Sequence, residues 1–148
     1  MKAQYRILEE ILIFSLGIAI VSFVMINFQH LHDSMSGVAI ESQLTSVSNM
    51  LTAAIIKSSL SNNSVIRMSI PETISDNEYQ IKIADSGGRT CNVGDECLLK
   101  LSCTDTIISQ RLFNISQTHN IIGNVVSGSR YIRIVSNSTD IVVERDED

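Results

Sequence analysis

The segment Ile11–Gln29, ILIFSLGIAIVSFVMINFQ, carries no charged residue, and that run limits what the chain can fold into. A helix rises about 1.5 Å per residue, so this stretch covers close to the roughly 30 Å of a bilayer's hydrocarbon core. In lipid the backbone amides must be satisfied within their own segment, which selects a helix. Two other structures compete for the same residues. A core helix of a soluble domain would have to be wrapped on every side, and the residues after 60 are too few to do it. A cleaved secretory signal would use Lys2 and Arg6 as its positive n-region. The apolar run is longer than an ordinary h-region, however, Glu9-Glu10 abut it, and no A-x-A-like site follows. The expectation is a retained membrane helix in contact with lipid.

Lys2 and Arg6 precede this helix, and the next Lys or Arg after it is Lys57. The positive-inside rule then puts the N-terminus in the cytoplasm and everything beyond Gln29 outside the cell membrane. Two features of the later residues agree. Three N-x-[ST] sequons follow the helix, at Asn62, Asn114 and Asn137, which favours an exported, glycosylated surface. All 3 cysteines, Cys91, Cys97 and Cys103, fall in one short stretch, and in an exported domain they read as one disulfide and one leftover thiol. Gly94-Asp95 places a turn between Cys91 and Cys97, which favours that pair. If Leu98–Ser102 is a strand, Cys97 and Cys103 lie about 20 Å apart and cannot bridge. Cys103 is then a small buried hydrophobe or pairs with another chain. A zinc site is the sharper alternative, but the spacings suit it poorly and His119 is the only nearby candidate ligand.

From His30 to Leu60 there is no Pro, and apolar residues continue at Leu31, Met35 and Val38, then at Ile40, Leu44, Val47, Leu51 and Ala54. The second set steps by four and three, an amphipathic stripe that continues the rod, interrupted at most near Ser36-Gly37. The stripe packs on its own domain's sheet or between identical chains. After Ser61–Ser64 the period changes to two. Strand candidates are Val65–Ile70, Glu78–Ile83, Cys97–Cys103, Thr106–Phe113, Asn124–Val126, Tyr131–Val135 and Ile141–Val143. Ser127-Gly128-Ser129 and Asn137–Asp140 read as tight turns joining the last strands into antiparallel hairpins. The fold class is α+β: a long N-terminal helix followed by a small antiparallel sheet or sandwich. The segments are 1–3, 4–29, 30–60 and 61–148, that is leader, transmembrane helix, amphipathic helix and extracytoplasmic β domain.

Chemistry is sparse. No Gly-rich phosphate loop, nucleophile–base arrangement or His-Glu metal motif is present, and no cofactor is expected. His30 and His32 point about 200° apart on a helix and cannot share an ion. The 11 Lys and Arg are scattered against 16 Asp and Glu, for a net charge of -5. With no basic stripe, no Trp and 5% aromatics, nucleic acid is not a partner. The residues point to a structural protein, not an enzyme.

The two-part helix followed by a β domain resembles type IV pilins, and Lys2-Ala3-Gln4 is similar to the processing site of archaeal pilins and archaellins. That resemblance implies cleavage between Ala3 and Gln4 by a prepilin-type peptidase. Arg6 stands where the family often has Ser, and the acids Glu9 and Glu10 are sixth and seventh of the implied mature chain instead of fifth. Ile70–Ile74, Tyr79–Ile81 and the Ser127–Ser129 turn also look like archaeal pilin-like segments. The family implies self-association through the N-terminal helix, with Arg6, Glu9 and Glu10 as assembly contacts, in a surface filament used for adhesion or a related task. An acid such as Glu9 at the edge of an apolar bundle is costly unless paired, and Arg6 or the new amine of an adjacent chain is the available partner. The alternative is a static, single-pass envelope protein that binds a surface partner, similar to stator-like archaellum accessory proteins.

Overall fold

The computed structural model describes residues 2–61, 63–112, 115 and 117–146; for residues 2–6, 8 and 33 the backbone alone is described. Helix α1 spans Lys2–Ser59 and runs through Ser36-Gly37 as helix. At its end, serine hydroxyls add second bonds to carbonyls of the last turns. Ser58 Oγ donates to Ile55 O at 2.9 Å and Ser59 Oγ to Ile56 O at 2.8 Å. Asn63 then turns the chain with φ of 58°.

The chain forms two compact units, Met1–Val38 and Ala39–Asp148. The first is helix alone. Its segment is long and apolar enough to cross a membrane, and its large side chains are open to the surroundings, with Phe14 and Phe23 each 70% exposed.

The second unit packs the later part of α1 on one face of a seven-stranded sheet. Ile40, Leu44, Val47, Leu51 and Ile55 are buried. These steps of four, three, four and four keep one face of a 3.6-residue helix on the sheet. Ile55 takes the buried place that the stripe assigns to Ala54, which is partly buried beside it. Leu31, Met35 and Val38 are exposed, so the stripe divides at about residue 39.

The strands are β1 (Ser64–Ser69), β2 (Tyr79–Asp85), β3 (Cys97–Cys103), β4 (Thr106–Arg111), β5 (Asn120–Val126), β6 (Tyr131–Ser136) and β7 (Asp140–Arg145). Alternation puts Tyr79, Ile81 and Ile83 of β2, Leu99 and Leu101 of β3, and Ile132 and Ile134 of β6 inward. The sheet order is β1-β6-β7-β5-β2-β3-β4. It is a single sheet, and every pairing is antiparallel except β5 with β7, which is parallel.

That parallel pair corrects the expectation of consecutive hairpins. Ser127–Ser129 does turn the chain, with Gly128 at φ of 112°, but β5 and β6 are not neighbours: β7 lies between them. The segment Ser127–Arg130 therefore crosses two strand spacings, about 10 Å. It is fastened at both sides: Ser127 N donates to Tyr79 O at 2.7 Å, and Ile70 N donates to Arg130 O at 3.0 Å. Turn residues look alike in sequence whether they join adjacent strands or strands one place apart.

Candidate functional site

The processing residues Lys2, Ala3 and Gln4 and the assembly residue Arg6 lie within the span of α1, and their side chains are outside the described atoms. Glu9 and Glu10 are exposed on the same helix, immediately before its apolar run. Of the sequons, Asn62 and Asn114 lie outside the described residues. Asn137 is exposed, and its Oδ1 accepts from Thr139 N at 2.9 Å, Thr139 Oγ1 at 3.1 Å and Asp140 N at 2.6 Å. These bonds occupy the amide oxygen, and no hydrogen bond among the described residues uses its nitrogen.

A disulfide joins Cys91 to Cys97 across a Cα separation of 5.7 Å. Gly94, with φ of 94°, makes the turn between them, and Asp95 N donates to Asn92 O at 3.1 Å. The bond holds the β2–β3 connection against β5, because Ile121 N donates to Cys91 O at 3.0 Å. With both thiols so used, the zinc reading loses its ligands. Cys103 is free and buried. Among the described residues no group of His, Cys, Asp and Glu is gathered for a metal, and His119 bonds through Nδ1 to Thr118 Oγ1 at 2.8 Å.

Between β1 and β2 the chain makes a fixed acidic hairpin. Ile74 and Asn77 exchange backbone bonds of 2.9 and 3.0 Å around Ser75 and Asp76, whose φ values of 50° and 62° are those of a tight primed turn. Ile74 is fully buried beneath it, and Tyr79 Oη donates to Pro71 O at 2.8 Å. Burial, with the neighbouring Cys103, pushes the Tyr79 phenol up to about 12. The hairpin thus presents Glu72, Asp76 and Glu78, all exposed, and none forms an ion pair among the described residues.

The sheet face turned away from α1 is ordered in rows. One is apolar across four strands: Val65, Val135, Val142 and Ile122 are successive cross-strand partners. The next row is polar. Asn124 stands opposite Lys82, Lys82 opposite Lys100, and Lys100 opposite Ser109. Cations elsewhere on this face have acids: Arg133 Nε and Nη2 both donate to Glu144 Oε1, at 2.9 and 2.6 Å, Arg111 meets Glu96 at 2.9 Å, and Arg67 pairs with Asp146. Lys82 and Lys100 have no ion pair among the described residues. The alternating pattern of β2 and β3 already puts each lysine outward, but their juxtaposition depends on register, which one strand's sequence does not carry.

No protein-family model, curated protein or solved structure matches this chain.

Proposed function

We propose that the chain is a pilin-like structural subunit of an archaeal type IV pilus-like surface filament, held in the cell membrane by residues 4–29 before assembly, with its β domain outside. The observation that carries this reading is the open apolar surface of Ile11–Phe28, where Ile13 is 65%, Met25 65% and Phe28 69% exposed. Removing such a side chain from water is worth about 1.5–3 kcal/mol. Over this segment that amounts to on the order of 20–40 kcal/mol, more than the roughly 5–15 kcal/mol that holds a domain folded. The segment therefore needs lipid or a bundle of other copies around it. The pilin resemblance of Lys2-Ala3-Gln4 selects the bundle.

A second reading has its own observation. Glu9 and Glu10 are sixth and seventh counted from Gln4, a register that fits strict pilin packing poorly and leaves a static anchor unaffected. Intact mass and N-terminal sequencing of the protein from its native membranes separates the two. A first residue of Gln4, with the protein present in sheared filaments, is the outcome expected for a pilin. A start at Met1, with all of the protein left in the membrane, would sink that idea and favour a static envelope protein. Excess mass on Asn62, Asn114 or Asn137 peptides tests export in the same experiment.

A further inference from the structure

We infer that the open face of the sheet is a docking surface for a second copy of this chain, and that Lys82 and Lys100 receive the acidic Pro71–Glu78 hairpin of that copy. The inference goes beyond helix-mediated assembly, since it concerns a contact between β domains alone.

The two lysines are directly opposed across β2 and β3. Like charges in that position are destabilising, and every other cation aligned in these rows of the face has a carboxylate partner. Lys100 is half-buried, so its stem lies along the sheet while its ammonium needs an anion or water. In a chain of net charge -5, an unpaired pair of cations on an otherwise neutralised face marks a place for a negative partner. The flanking Asn124 and Ser109 add neutral hydrogen-bonding groups to both ends of the row.

The same chain carries the complement. Glu72, Asp76 and Glu78 are exposed and without ion pairs among the described residues. Their hairpin is held in shape by the Ile74–Asn77 bonds, by buried Ile74 and by the Tyr79–Pro71 bond. A hairpin already fixed in one conformation loses little entropy on docking. Face and hairpin are different patches, so the contact is heterologous, and repetition gives a ring or an open helical array instead of a closed dimer. The row Val65–Val135–Val142–Ile122 beside the lysines supplies apolar surface to the same contact.

The test uses the full chain in detergent micelles, as an equal mixture of ordinary and nitrogen-15-labelled protein, joined by a zero-length carbodiimide reagent that links amines to carboxylates. The expected product is a mixed-isotope dimer in which Lys82 or Lys100 is linked to Glu72, Asp76 or Glu78. Its yield should fall steeply with added salt, and K82E/K100E, which lacks both amines, should give none of it. Mixing K82E/K100E with E72K/D76K/E78K should restore it. No link between positions 82 or 100 and 72, 76 or 78 in the charge-reversed mixture, links confined to single copies, or no dimer at all would each overturn the inference. Thermal melts showing that both variants remain folded, and recovery of both in the membrane fraction, keep this result separate from the fate of the anchor.

Discussion

Gly123 of β5 and Val143 of β7 are cross-strand partners in the parallel pair, and a Cβ at position 123 would lie 3.1 Å from Val143 Cβ and 3.0 Å from Ile83 Cδ1. The Ile83 methyl can swing aside, but the Val143 Cβ is fixed to its strand. Gly123→Ala is expected to destabilise the β domain by about 1–3 kcal/mol, the usual cost of overpacking, and Gly123→Val by more. The check is a thermal melt of the full chain in detergent, where an unchanged midpoint for Gly123→Val would contradict the packing described.

The apolar stripe of α1 should divide in its energetics as it does in burial. Leu44 and Leu51 are fully buried, and truncating either to Ala is expected to cost about 2–5 kcal/mol. Leu31 and Val38 are 57% and 66% exposed, and Leu31→Ser or Val38→Ser should move the β-domain melt by no more than about 0.5 kcal/mol. Equal effects from the two sets would mean that the first unit contributes to the stability of the second.

Reduction of Cys91–Cys97 removes a cross-link of sequence separation 6, for which the chain-entropy relation gives about 2 kcal/mol. Melts with and without reductant, and of Cys91→Ala/Cys97→Ala, should agree on that loss. Cys103, buried and unpaired, should resist alkylation in the folded chain and react once denaturant is added. Prompt labelling of Cys103 under native conditions would contradict its burial.

Two groups are shifted in opposite directions. Burial and Cys103 raise the Tyr79 phenol from 10.0 to about 12, so the folded state favours the neutral form. That contribution is complete below about pH 10 and is lost as pH rises towards about 12. Asp140 is shifted the other way, held down by hydrogen bonds from Asn120, then Thr139. Its contribution is present above the ordinary carboxylate range and disappears as pH falls through its lowered value. Tyr79→Phe should flatten the alkaline limb of stability against pH and leave the acid limb in place, while Asp140→Asn should do the reverse. A titration in which Tyr79→Phe loses stability at the same alkaline pH as the parent would rule out Tyr79 as the cause.

Some of this architecture is legible in the residues. Cys97–Cys103 alternates without a break, and its strand has those ends. The turn at Gly94 is marked by its own residue type, and the disulfide follows from it. The start of β5 is less visible: Asn120, Gly123 and Asn124 have low strand preference, and only their neighbours explain them. Gly123 is there for lack of room, while Asn120 Nδ2 donates to Asp140 Oδ1 at 2.8 Å and its Oδ1 accepts from Val93 N at 3.0 Å. The lysine row is hidden for the same reason. Period-two patterning tells which way a side chain points, and only register tells what it faces.

β7 is made last of the seven strands yet lies inside the sheet, between β6 and β5. Until Asp140–Arg145 arrives, the β1-β6 pair and the β5-β2-β3-β4 group have no strand to bridge them, and two inner edges stay unpaired. A chain emerging N-terminus first would thus hold an incomplete sheet until β7 itself emerges. A single short strand, paired on both sides, joins the two parts. Deleting that strand would split the sheet at its interior, a far harsher lesion than trimming β1 or β4 from its rim.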